Sequence, residues 1–355
     1  MSQEMLEDNN TAEIDQLGDE ETLTFQYDVS SYTIDFDVAG LVRRYKNGDI
    51  IIPDFQRNYV WDDRRASQFV ETLLLGLPVP GVFLSKSDSD EVLLVVDGLQ
   101  RIQSLARFYK DELPLSHVQS QFEGKTYSQL NPNDRRRLDN AFMPATVIKQ
   151  ESPTDDDSGI YFVFRRLNTG AVALRPQEIR SAIYRGEFND LLGRLNKFAL
   201  WRKLYIKNQE EHPRKNDEEA ILRFFALYYY SKDYTYPIET FLNRYMSQNR
   251  RLTLQSEQEL TERFTTTIQT IHDCLGERAF KRSTTFNVAV FDSIMVGIAR
   301  RLEKGPIQDC DQLKANYHEL LKNDTFLKAT GGATSRQDTL STRLRLATAA
   351  FENID

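Results

Sequence analysis

Three short segments hold most of the side chains in this 355-residue chain that could do chemistry. The first is Ile52 to Trp61, IPDFQRNYVW, where Gln56, Arg57, Asn58, Tyr59 and Trp61 crowd donors and planar surfaces into six residues. Such a set suits a base or a phosphate. It equally suits a loop packed by Phe55, Tyr59 and Trp61, with Arg57 stacked on a ring. The second is Val95 to Arg101, VVDGLQR, and the third is Phe164 to Gly170, FRRLNTG. The second has the clearest physical logic. An apolar run ends, Asp97 can cap, Gly98 permits tight backbone and a helical pattern begins. The first amides of a helix lack internal partners and carry partial positive charge, so they can hold a phosphate. Arg101 falls in that first turn, where a cation opposes the helix dipole and a bound anion would relieve the conflict. An ordinary capped turn with Arg101 paired to Asp97 is the alternative.

Periodicity predicts the elements that carry these segments. Leu23 to Ile34 alternates as one or two strands. Val38 to Tyr45 reads as a helix, capped by Asp35 or Asp37 and stopped by Gly48. Ile50 to Ile52 is a short strand. Asp62 caps a helix in which Ala66, Phe69, Val70, Leu73 and Leu74 recur at spacings of three and four, closed by Gly76. Strands come next at Val82 to Leu84 and Val92 to Val96, the latter continuously apolar and so buried on both faces. A helix with Ile102, Leu105, Ala106 and Tyr109 on one face succeeds them, then a strand at Thr146 to Ile148. From Asp155 the pattern is helical, with helices ending at Leu167 and starting at Pro176, and others at 219–229, 257–275, 286–302 and 340–351. No internal repeat is present. The expected architecture is α+β: an α/β unit over 23–200 followed by a mainly α-helical bundle over 201–355, behind an acidic disordered leader, 1–22.

Composition narrows the function classes. The chain is 40% apolar, enough for a large core, and holds no apolar run of membrane-spanning length. The start is acidic and resembles no signal peptide. Two cysteines so far apart, Cys274 and Cys310, fit a reducing cytoplasm. The net charge of −8 is uneven: residues 1–42 hold eleven carboxylates and no Lys or Arg, leaving +3 for the rest. A duplex-DNA binder usually shows a stronger basic stripe. The leader is either a solubilising tail or a competitor for a basic groove. His117, His212, His272 and His318 are scattered, with no HxxxH or CxxC, so an HNH nuclease is not expected. No Walker motif occurs.

The three segments, in order, resemble the N-terminal domain of GmrSD-type modification-dependent restriction systems. That family's P-x-F-Q-R-x-Y-x-W, D-G-Q-Q-R and F-x-R-L-N-T-G hallmarks stand here as PDFQRNYVW (53–61), DGLQR (97–101) and FRRLNTG (164–170). The likeness extends to GLPVP (76–80) and LRPQEIRSAIYRGEF (174–188), and more weakly to Leu222–Phe224, Phe241–Leu242 and Phe286–Asp292. The resemblance implies a ParB/sulfiredoxin-like α/β domain that binds and hydrolyses an NTP with Mg²⁺ in a cytoplasmic restriction or antiphage defence system. Partners would be the nucleotide and DNA or a separate nuclease subunit, with no membrane. Carried over, Arg101 and Arg57 would hold phosphates, and Gln100 or Gln56 would orient water. Asp97 would bind Mg²⁺ or position Arg101, and Asn168 would contact nucleotide or metal. Tyr59, Gly98 and Arg165 would complete the pocket. Leu99 stands where the family has Gln, so binding without turnover is one implied outcome. A DNA-binding or nicking module, and a non-catalytic interaction protein with a vestigial pocket, are the alternatives.

Overall fold

The computed structural model describes residues 28–52, 59–86, 92–152, 158–167, 174–205, 211–212, 214–281 and 285–355. The acidic leader, Gln56, Arg57 and Asn168 therefore lie outside the described residues. Of the described residues, those up to Ile183 form one compact unit and those from Tyr184 form another. The division falls there rather than near residue 200 because the helix at 187–196 buries Phe188, Leu191, Leu192 and Leu195 and packs within the second unit.

The first unit holds five strands: β1 (Asp28–Asp37), β2 (Ile50–Ile51), β3 (Val82–Lys86), β4 (Leu93–Asp97) and β5 (Phe142–Ser152). Its helices are α1 (Val38–Asn47), α2 (Asp63–Leu74), α3 (Leu99–Tyr109), α4 (Pro132–Asp139), α5 (Ser158–Leu167) and α6 (Pro176–Ile183). The sheet order is β1-β5-β3-β4-β2. β5 lies parallel to β3 and β2 parallel to β4, while the β1–β5 and β3–β4 pairs are antiparallel. Met143, Ala145 and Val147 of β5, Val82 and Leu84 of β3 and Val95 of β4 join the core with α1 to α4. Ile148 and Gln150 of β5 are also buried but have the opposite strand parity. Gln150 Oε1 accepts from the Gly159 amide at 2.6 Å, which seats the start of α5 on that second face.

β5 is eleven residues long, well beyond the predicted Thr146 to Ile148. Pro144 interrupts its apolar alternation, and proline argues against a strand interior. α4 was not legible because it buries one residue, Leu138. Other boundaries obey their caps. Asp37 accepts from the Gly40 amide at the start of α1, Gly48 ends it with φ 85°, and Asp62 accepts from the Arg65 amide ahead of α2. Tyr109 and Tyr127 stack at 4.2 Å, and both hydroxyls donate to Asp139. Burial first, and the Asp139 bond second, push the Tyr127 phenol up to about 12 and raise Tyr109 in the same direction.

The second unit is helical: α7 (Glu187–Asn196), α8 (Ala199–Tyr205), α9 (Asn216–Tyr230), α10 (Ile238–Gln248), α11 (Glu257–Leu275), α12 (Val288–Leu302), α13 (Cys310–Lys322), α14 (Asp324–Ala329) and α15 (Gln337–Phe351). α12 is apolar almost all round and packs against α9, α11 and α15, as a central helix must. Inside, Asp292 of α12 takes Arg223 at 2.6 Å and Arg343 at 3.0 Å, with all three side chains buried. Cys274 and Cys310 are not isolated in space. They form a disulfide between α11 and α13, with Cα atoms 4.9 Å apart. No described helix is long and apolar enough to cross a membrane.

Candidate functional site

β4 ends at Asp97 and α3 begins at Leu99, so Gly98 alone makes the turn. Its φ of 105° is unfavourable for any side-chain-bearing residue. A Cβ there would also lie 2.4 Å from Val82 Cγ1. Glycine is thus required twice over. The consequence reaches the helix. Gly98 occupies the cap position and has no side chain, so the cap residue itself gives no side-chain bond to the first amides of α3. α1, α2 and α4 are capped by Asp37, Asp62 and Asn131. Asp97 does not cap, contrary to the sequence expectation, because it is still part of β4. Its Oδ2 instead accepts from Arg101 Nη2 at 2.9 Å.

Arg101 is well fixed. Its Nη1 reaches the Pro80 carbonyl at 3.4 Å, and its side chain is 15% exposed, against 51% for Asp97. The guanidinium therefore sits against the protein while the carboxylate faces outward. The ion pair expected of an ordinary turn is present, but on a helix start whose cap residue has no side chain. A single outward carboxylate suits Mg²⁺, which binds through one or two carboxylates together with substrate phosphates. Among the described residues no three His, Cys, Asp or Glu side chains gather as a metal site.

Gln100 joins the first two segments. Its Oε1 accepts from the backbone amides of Val60 at 3.0 Å and Trp61 at 3.2 Å. The topology explains the meeting. β2 and β4 are parallel neighbours, so both strands run toward the same end of the sheet. Tyr59 is committed to the same joint. Ser104 donates to the Gln100 carbonyl at 2.7 Å, so the Tyr59 hydroxyl donates to Ser104 Oγ at 2.8 Å. Arg107 lies 4.9 Å over the Tyr59 ring and Arg65 4.9 Å over Trp61. Two arginines outside that segment thus stack on its rings, while the stacking expected of Arg57 lies outside the described residues. Ser104, Arg107 and the Pro80 carbonyl were missed by motif reading. Only the i,i+4 spacing of Gln100 and Ser104 hints at the joint.

Leu99 changes meaning. It is 7% exposed and belongs to the hydrophobic core. A side chain at this position points into the protein and not at Arg101. Arg165 lies on α5, half-buried, and no described hydrogen bond or ion pair joins it to the Asp97–Arg101 turn.

Residues 38–185 match the model of a family described as the GmrSD restriction endonuclease, N-terminal domain. The chain carries a GmrSD N-terminal domain. The match includes both halves of the Gln100 joint and extends to the end of the first unit. The family's description suggests a role in a restriction system. No curated protein and no solved structure matches it.

Proposed function

We propose that the Asp97–Arg101 turn binds the phosphates of a nucleoside triphosphate, and that its occupancy and hydrolysis regulate a cytoplasmic restriction or antiphage defence system. The observation that carries this reading is a guanidinium fixed in the first turn of a helix that follows a strand across one left-handed glycine. Amide dipoles and a cation converge there on Asp97, an exposed anion that a phosphate can displace or share through Mg²⁺. The ParB-like character of the domain belongs to the same proposal.

In this reading Arg101 holds phosphate and the α3 amides add to the field. Asp97 turns toward Mg²⁺ when Arg101 is taken by the ligand. Mg²⁺ supplies neutralisation of phosphate charge. Gln100 acts as a positioning residue, because its Oε1 is committed to Val60 and Trp61. Gln56 and Arg57 are assigned, by the family resemblance, the water-orienting group and a second cation. Asn168 and Arg165 are assigned to the nucleotide as a third contact. A separate nuclease subunit, or DNA, receives the signal.

Phosphate release from NTPs with Mg²⁺ tests the reading. Wild type turns over nucleotide and Arg101→Ala does not. Equal turnover by the two proteins contradicts it.

A further inference from the structure

We infer that Cys274 and Cys310 form a reversible dithiol–disulfide switch that locks the start of α13 against the end of α11. The inference is independent of the nucleotide reading. Cys274 lies in the last turn of α11 and Cys310 is the first residue of α13, so the bridge joins one helix end to one helix start. It spans 36 positions of sequence, which include the whole of α12. Cys310 is exposed and Cys274 half-buried, so the bridge sits at the rim of the helical unit and not in its core. An exposed bridge is open to thiol exchange, and such bridges are the labile ones.

The packing of the unit has other sources. α12 is held by its apolar surface and by the Asp292 pairs with Arg223 and Arg343. α13 is anchored further along, where Leu313, Tyr317 and Leu320 are buried and the Tyr317 hydroxyl donates to the Ala279 carbonyl at 3.0 Å. Both redox states therefore keep the fold. The first turn of α13 is different, because Cys310, Asp311 and Gln312 are all exposed. It is also where other segments are tied down. The amides of Gln308 and Asp309 donate to the Asp355 carbonyl at 2.9 and 3.1 Å, and Asn316 Nδ2 donates to the Ala350 carbonyl at 2.8 Å. Opening the bridge loosens this corner and leaves α12 in place. The chemistry needs a dithiol reductant. Its thiolate attacks the Cys310 sulfur, the bond to Cys274 breaks, and Cys274 leaves as a thiolate that takes up a proton. The second thiol of the reductant then attacks the mixed disulfide, releases Cys310 as a thiol and closes the reductant into its own disulfide. Two electrons pass from the reductant to the protein. A disulfide oxidant reverses the exchange. The oxidised state is the more stable one, because the bridge restricts the unfolded chain.

Maleimide labelling, hydrogen exchange and melting of the native full chain test the inference. Dithiothreitol without denaturant should open both cysteines to label, and oxidised glutathione should close them again. On reduction, exchange at the Gln308 and Asp309 amides should speed up by about tenfold or more, while the amides of α12 keep their protection. The melting temperature should fall by several degrees. Cys310→Ser should match the reduced protein and no longer respond to dithiothreitol. Sulfurs that react only after unfolding, or thiols that stay open in oxidised glutathione, would overturn the switch. So would reduction that leaves exchange at Gln308 and Asp309 unchanged, or that strips protection from α12. The wild-type chain is read in both states, so the test stands even where Cys310→Ser fails to fold.

Discussion

Gly98 and Leu99 show how two adjacent residues can share a motif and do unrelated work. Gly98 provides a left-handed backbone that side-chain-bearing residues rarely adopt, and it offers α3 no side-chain cap of its own. Gly98→Ala carries the cost of a left-handed conformation and a collision with Val82. Denaturant unfolding should show a loss of roughly 2–4 kcal/mol. Leu99 is a core residue. Leu99→Gln buries an amide where Leu99 packs, so we expect a loss of roughly 1–3 kcal/mol and no gain of NTPase activity. A stable Leu99→Gln protein with new turnover would show that this side chain reaches the phosphates. The vestigial-pocket alternative rested on Leu99, and the structure places that side chain in the core. The residues of the turn were legible in the sequence, and so was the pairing of Arg101 with Asp97. The direction of Leu99 was not, because residue type alone does not say which face of a first helical turn meets the core.

Among the elements, β2 and β4 run as parallel neighbours, and Gln100 ties Val60 and Trp61 to the helix leaving β4. Gln100→Ala removes the acceptor for two amides. Hydrogen exchange at Val60 and Trp61 should speed up, and global stability should fall by about 1–2 kcal/mol. Unchanged protection at both amides would show that the segment is held by Tyr59 and Trp61 alone. The tyrosine pair on Asp139 makes a separate, pH-dependent contribution between α3, α4 and the short helical turn at Tyr127–Gln129. Both phenols have pKa values raised above the unfolded value of about 10. The folded state holds their protons more tightly. Their contribution is therefore complete below about pH 10 and is lost as the pH rises toward about 12. Tyr127→Phe should flatten that part of the stability profile, and an unchanged profile would assign the loss to other groups. Strands β2 to β4 and the long helices were readable from periodicity and caps. β5 was only partly readable because Pro144 breaks its pattern, and α4 was hidden because a helix burying one residue has no apolar period.

Across the whole molecule, two compact units each carry their own core, and the proposed site lies in the first. The second unit is organised around a buried charge cluster. Asp292→Ala would leave Arg223 and Arg343 without their shared carboxylate, and should cost the helical unit about 3–5 kcal/mol in a thermal or denaturant melt. A loss below about 1 kcal/mol would mean that the cluster is solvated. The sequence suggested Arg223 and Asp292 as a weak family likeness, and the three-dimensional packing gives them a structural reason. Sequence distance misled in the case of Cys274 and Cys310, which helix packing brings together across 36 positions. Every functional role assigned to the first unit depends on phosphate binding at the turn from Asp97 to Arg101. Thermal unfolding with each NTP and Mg²⁺, on wild type and Arg101→Ala, is the decisive measurement. At a ligand concentration of about 100 times the dissociation constant, wild type should gain about 2.7 kcal/mol, with melting shifted up by several degrees, while Arg101→Ala should not shift. No shift with any NTP in wild type, or the same shift in Arg101→Ala, would contradict phosphate binding at this turn.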